Sequence, residues 1–248
     1  MLSGLSSLGK ANKNFLAACD AMRVQSEKIS IVAFNANVSA SSGTLGAITK
    51  ELSIAEKENQ RLLAEMELCI DRIGTLLSEL AFNLSVVALQ HEIGSHFLRE
   101  LYRTPSAKAL PQLITLLGQA DKYLHALFTQ LDCAGDWFRE IELTTQKVHR
   151  NAKTLRFIRI SGVAAAAEFK SGNIFAGLFE EVKANIAATM DICTTLRNEV
   201  SNCKMTIERI RTRRSMLGSC MKVVQRGAQA LPGAFDLEEY AVTADAAT

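Results

Sequence analysis

The chain has 248 residues and a formal net charge of +2; 48% of its residues are apolar and 6% are aromatic. So small a charge does not by itself predict nucleic-acid binding, and the apolar share is large enough for a buried core, which argues against a wholly disordered chain. There are three prolines, and none lies in the first hundred residues or between 112 and 231. Because proline breaks helix interiors, this distribution permits very long helices.

Composition also bears on the cellular compartment. The six cysteines show no CxxC spacing and no disulfide framework. No run approaches eighteen apolar residues, and the first residues do not form a basic leader followed by an apolar block. We therefore expect a reduced, cytoplasmic protein without a membrane span, in which the cysteines serve as small apolar residues.

Apolar residues recur at alternating steps of three and four, which is typical of helices packed along a coiled-coil seam. Four such seams follow one another along the chain, and no period-two alternation indicative of strands is sustained. The clearest stretch includes Leu62, Met66, Ile70, Ile73, Leu77 and Leu80. The pattern predicts an all-α protein.

Three breaks between the seams predict turns. The first helix ends at Ser41-Ser42-Gly43-Thr44, the second at Thr104-Pro105-Ser106 and the third at Lys170-Ser171-Gly172-Asn173. Glycine supplies the positive φ that tight helix ends require, and Pro111 is tolerated only in the first turn of the next helix. Short turns force neighbouring helices to be antiparallel, so these elements predict a long up-down-up-down four-helix bundle, made of two fused hairpins, over residues 1–230.

Two features follow from this arrangement. Pro232-Gly233 is expected to end the last helix, so residues 231–248 are predicted to form a flexible acidic tail. The first helix is too short to cover the end where the proline turn lies, so apolar surface there is expected to be partly open. We expect self-association at that end, around Val86, Val87, Ile93 and Phe97.

The two glycine turns lie in related sequence. The first hairpin reads FNANVSA over 34–40 before the turn and LGAITKEL over 45–52 after it, and the second reads FAGLFEEV over 175–182. This pattern resembles the hairpin tip of the cytoplasmic signalling domain of methyl-accepting chemotaxis proteins, the bacterial chemoreceptors. One chain would then carry both hairpins, which in ordinary receptors come from two subunits.

The resemblance implies a signalling protein that acts through contacts at the hairpin tips. The implied partners are the chemotaxis histidine kinase, its coupling protein and other receptors. By position, the implied partner-binding residues are Phe34, Asn35, Val38, Phe175 and Glu181. Because methylation segments and a ligand domain are not recognisable, the resemblance favours an adaptor or scaffold over a complete receptor.

A second interpretation is a bundle that senses a ligand, metal or haem. Folding at the turns brings His91, His125 and Cys220 to similar levels, so these are candidate ligands, although a seam histidine is more commonly a hydrogen-bonded core residue. A third interpretation is a purely structural coiled coil. No nucleophile elbow, phosphate-binding glycine loop or other catalytic motif occurs, so we predict a non-enzymatic protein without a cofactor.

Overall fold

The computed structural model describes residues 2–39, 43–104, 109–167 and 172–213, together with residues 219, 222 and 226. Four helices account for nearly all of this part of the chain: α1 Leu2–Ser39, α2 Gly43–Arg103, α3 Leu110–Ala167 and α4 Gly172–Thr212. The predicted all-α four-helix architecture is confirmed, and no strand occurs in the ranges just given. The end predicted for the fourth helix and the acidic tail 231–248 lie outside the described residues.

The helices form two compact units. Unit 1 comprises Met1–Ser6, Leu76–Ala134 and Thr206–Thr248, and unit 2 comprises Ser7–Thr75 and Gly135–Met205. All four helices contribute to each unit. The two hairpin ends that resemble chemoreceptor tips both belong to unit 2.

In unit 2 each helix contacts the next one in the chain, and α4 contacts α1. Asn14 of α1 donates a hydrogen bond to Glu199 of α4 over 2.8 Å, which closes the ring. The other three interfaces are marked by Arg23–Glu67, by Asn151 donating to the Ala55 carbonyl, and by Lys204–Glu142. This order of contacts is that of the predicted up-down-up-down bundle.

The interior of unit 2 is filled by the predicted seam residues. Phe15 and Phe138, on diagonally opposite helices, are fully buried, with ring centroids 5.9 Å apart. Cys19, Cys193 and Cys203 are free thiols buried in the same interior. These three thus fill space as small apolar residues, as the sequence predicts.

One glycine permits an unusually close helix contact. A Cβ on Gly162 of α3 would overlap the Cζ atom of Phe179 on α4 and would lie 2.6 Å from its Cε2 atom. Phe179 is completely buried, so its ring occupies the space that any larger residue at position 162 would need. Gly162 and Phe179 therefore fix how closely α3 and α4 approach near the second hairpin end.

Gly43 of the first predicted turn has the positive φ expected of it. Gly43, at the start of α2, has a φ of +85°, a conformation that residues with a Cβ rarely adopt. The other predicted turn residues lie partly in residues 40–42, 105–108 and 168–171, which are outside the described part. Pro111 does occupy the first turn of α3, as expected.

Unit 1 contains the end of α2 and the beginning of α3. Asn83 donates to Gln130 over 2.7 Å, and Gln130 donates to Glu79 over 2.7 Å, so a chain of polar contacts joins the two helices. Gly94 allows the Leu117 side chain to approach closely, with 3.2 Å between the position of an added Cβ and a Leu117 methyl carbon.

The apolar surface predicted for unit 1 is open only in part. Ile93 is exposed, Val86 and Phe97 are half-buried, and Val87 is buried. Phe82 and Leu89 add further exposed apolar area on α2.

By length and composition α2 is apolar enough to cross a membrane, a test that core helices of soluble proteins also pass. The expectation that the chain has no membrane span stays a prediction.

Candidate protein-interaction site

Both hairpin ends of unit 2 rest on a single hydrophobic cluster. Ala36 and Leu45 of the first hairpin and Ala166 and Phe175 of the second belong to it. Small residues predominate where the helices approach their turns, and this permits close packing. The cluster therefore brings the two sequence-related hairpin ends together at one end of unit 2.

The first hairpin end presents large apolar side chains to solvent. Ile31, Phe34 and Val38 are 60%, 67% and 67% exposed, and their spacing of three and four residues places them on one face of α1. Asn35, beside them, is also exposed. We call Ile31, Phe34 and Val38 the α1 stripe. Three of the five predicted partner-binding residues, Phe34, Asn35 and Val38, are thus accessible.

The second hairpin end differs from the prediction at one position. Phe175 is only 6% exposed and belongs to the core cluster, so the structure removes it from the predicted surface. It is buried because Phe175, Phe179 and Val182 continue the core seam of α4 toward its start. Ile174, the preceding residue, is 65% exposed instead. Glu181 is exposed, as predicted.

Charge distinguishes the two hairpin ends. No charged residue occurs between Lys28 and Lys50, so the first hairpin end is uncharged. At the second, Arg159 of α3 donates to the Phe179 carbonyl over 3.2 Å and pairs with Glu180. The hydrogen bond from Lys183 and the weaker effect of the one from Arg159 both lower the pKa of Glu180, so this carboxylate stays ionised and paired at neutral pH.

Further exposed apolar residues near the hairpin ends were not predicted. Phe157 and Ile160 of α3 are both more than half exposed, as are Ile31 and Ile174. The available signal was a large apolar residue at a position outside the three-and-four seam. Such residues have no core position to occupy and must face solvent or a partner.

The candidate metal ligands are not assembled by the described residues. His91 is a half-buried residue of α2, and His125 is exposed on α3. Cys220, the third predicted ligand, lies outside the described residues. Within the described ranges no group of three or more His, Cys, Asp or Glu side chains is placed to hold a metal ion.

One further histidine has an unusual environment. The Nδ1 atom of His149 on α3 is buried without a hydrogen-bond partner. Burial, together with nearby Lys153 and Arg197, lowers the pKa of His149 below 6.5. This histidine is therefore neutral at physiological pH.

No family model, curated protein or solved structure matches this chain. The chemoreceptor resemblance consequently stands on the hairpin residues already quoted. The site itself is defined by the geometry of unit 2, an uncharged hairpin end bearing the exposed α1 stripe.

Proposed function

We propose that this protein is a non-enzymatic adaptor whose hairpin end on unit 2 binds a partner protein. The observation that supports this proposal most directly is the α1 stripe. Fully burying a Val, Ile or Phe side chain contributes about 1.5–3 kcal/mol, so covering the exposed two-thirds of these three residues would contribute roughly 3–6 kcal/mol. That is a substantial part of the roughly 8 kcal/mol that corresponds to micromolar binding.

The partner is proposed from the resemblance of the hairpins to chemoreceptor tips. On that basis the chemotaxis histidine kinase and its coupling protein are the first candidates, with other receptors next. The α1 stripe supports this choice because Phe34 and Val38 fall within the segment that resembles the family tip. Location in the cytoplasm, where these partners act, is part of the same proposal.

Binding of purified protein to the kinase and to the coupling protein, measured on a biosensor surface, tests the proposal. Phe34→Glu and Val38→Glu each place a charge on the α1 stripe and should weaken binding at least tenfold. Because both residues are about two-thirds exposed, neither change should lower the melting temperature appreciably.

The matched control is Leu68→Glu. Leu68 is a similarly exposed apolar residue of unit 2, on α2 and far along the helix from Gly43. The Leu68→Glu substitution should leave binding unchanged. If the wild-type protein binds neither the kinase nor the coupling protein, the chemotaxis proposal is contradicted. If all three variants weaken binding equally, the proposed location of the binding site is contradicted. Binding that is indifferent to both stripe variants would favour a purely structural coiled coil.

A further inference from the structure

A buried carboxyl group connects α1 and α2 inside unit 2. Glu56 of α2 is 1% exposed and accepts a hydrogen bond from the Ser26 hydroxyl of α1. Ser26 in turn accepts a hydrogen bond from the Asn59 amide over 3.3 Å. All three side chains are almost completely buried, so this chain of contacts has no access to bulk water in the folded state.

Two acceptors in this cluster lack a donor. The second carboxyl oxygen of Glu56, Oε2, and the Oδ1 atom of Asn59 are both buried without a hydrogen-bond partner. An ionised carboxylate can only accept hydrogen bonds, whereas a protonated one also donates. A proton on Glu56 therefore supplies a donor in a place where acceptors are in excess, and it also removes a charge from the core.

The surrounding helices do not offset a negative charge on Glu56. On α1, Arg23 is paired with Glu67. On α2 itself, Arg61 is engaged by Glu58 and Glu65. From α3, the uncharged Asn151 lies at this level, and its amide binds the carbonyl of Ala55, the residue next to Glu56. Two charged residues of α3 flank this level: Lys147, which interacts electrostatically with Glu58, and Lys153, which interacts electrostatically with His149. Arg197 of α4 also interacts electrostatically with His149.

We propose that Glu56, Ser26 and Asn59 form a proton-operated latch that holds α1 against α2 when Glu56 is protonated and loosens when it ionises. The proton leaves to solvent on ionisation and returns on acidification, and no other group is chemically changed. The latch lies directly beside Ala55, which belongs to the cluster under the hairpin ends. This inference is independent of the partner proposed above.

The expected titration range agrees with the geometry. Burial raises the pKa of Glu56 from 4.5 to about 7, and the hydrogen bond from Ser26 offsets this only in part. Because the folded protein holds this proton more tightly than the unfolded chain, stability conferred by the latch is complete below pH 4.5 and is lost as pH rises to about 7. His149, whose pKa is lowered, has the opposite effect, since its protonation below pH 6.5 favours unfolding.

The test compares denaturant unfolding of the wild-type protein with that of Glu56→Gln, a neutral variant of nearly the same shape. Because His149 is present in both, it cancels in the comparison. From pH 5.5 to pH 8 the unfolding equilibrium constant of the wild type should rise about thirtyfold relative to that of Glu56→Gln. Glu51→Gln, which alters an exposed carboxylate of the same helix, is the control and should follow the wild type.

Two direct measurements complete the test. Infrared difference spectra of the unmodified protein should show a protonated-carboxyl band at pH 6 that disappears by pH 8 and is absent from Glu56→Gln. Hydrogen exchange of α1 amides around Ser26, corrected for intrinsic pH dependence, should accelerate at pH 8 in the wild type only. Parallel pH profiles for wild type and Glu56→Gln, or the absence of the infrared band, would overturn the proposal. If Glu56→Gln does not fold, the infrared result from the wild type decides.

Discussion

Substitution of Gly162 by alanine tests how closely α3 and α4 pack where Gly162 meets Phe179. In an ordinary helix interior, alanine in place of glycine is stabilising by about 1 kcal/mol. Here the added methyl group would overlap the ring of Phe179, which is fully buried, so the ring would have to shift within the core. Overpacking of this kind typically costs about 1–3 kcal/mol, so after the gain of about 1 kcal/mol the change should destabilise the protein by up to about 2 kcal/mol, with the melting temperature lowered accordingly by up to several degrees.

The matched control is Gly177→Ala on α4, two residues from Phe179. An added Cβ there meets nothing within 4 Å, so only the helix-propensity gain should remain, about 0.5–1 kcal/mol of added stability. Thermal unfolding followed by circular dichroism measures both variants. Adding Phe179→Leu to Gly162→Ala should recover part of the loss, because the smaller side chain leaves room for the methyl group. A Gly162→Ala protein as stable as Gly177→Ala would show that α3 and α4 pack less closely at this point than described.

Two further predictions concern side chains with distinctive environments. The guanidinium carbon of Arg72 lies 4.6 Å from the centre of the ring of Trp137, the single tryptophan of the chain. Arg72→Ala should therefore shift tryptophan emission and lower the free energy of unfolding by about 0.5–1 kcal/mol. An unchanged emission spectrum would contradict the contact. Burial raises the pKa of the Cys19 and Cys193 thiols to about 11 and that of the Cys203 thiol to about 12. In the native protein, maleimide at pH 7.5 should therefore label the exposed Cys133 and leave these three thiols unmodified, which peptide mass spectrometry can check. Rapid labelling of Cys193 under native conditions would show that the core is more open than described.

The fold could be predicted from sequence because its determinants are periodic. The seam that includes Leu62, Met66 and Ile70 recurs with little interruption, and its residues from Leu52 to Val87 are buried in the structure. Glycine and proline at the breaks have local backbone consequences that do not depend on distant contacts. Helix order and the antiparallel arrangement then follow from short connections.

The site was harder to predict, because exposure depends on exactly where a seam begins. Phe175 was expected at the surface from the family resemblance, whereas Phe179 and Phe175 continue the core seam of α4 toward its start and are buried. The pairing of Glu56 with Ser26 depends on the axial register of α1 against α2, which no local pattern specifies. The overlap between Gly162 and Phe179 is likewise a contact between helices.

The contact between Asn14 and Glu199 has a consequence for synthesis of the protein. These residues are separated by 185 positions, and the interface between the first and last helices cannot form until both have left the ribosome. Translation proceeds at about 5–20 residues per second, so the apolar face of α1 that packs against α4 stays uncovered for roughly ten to forty seconds. During that interval the nascent chain is a natural client for chaperones that shield unpaired amphipathic helices.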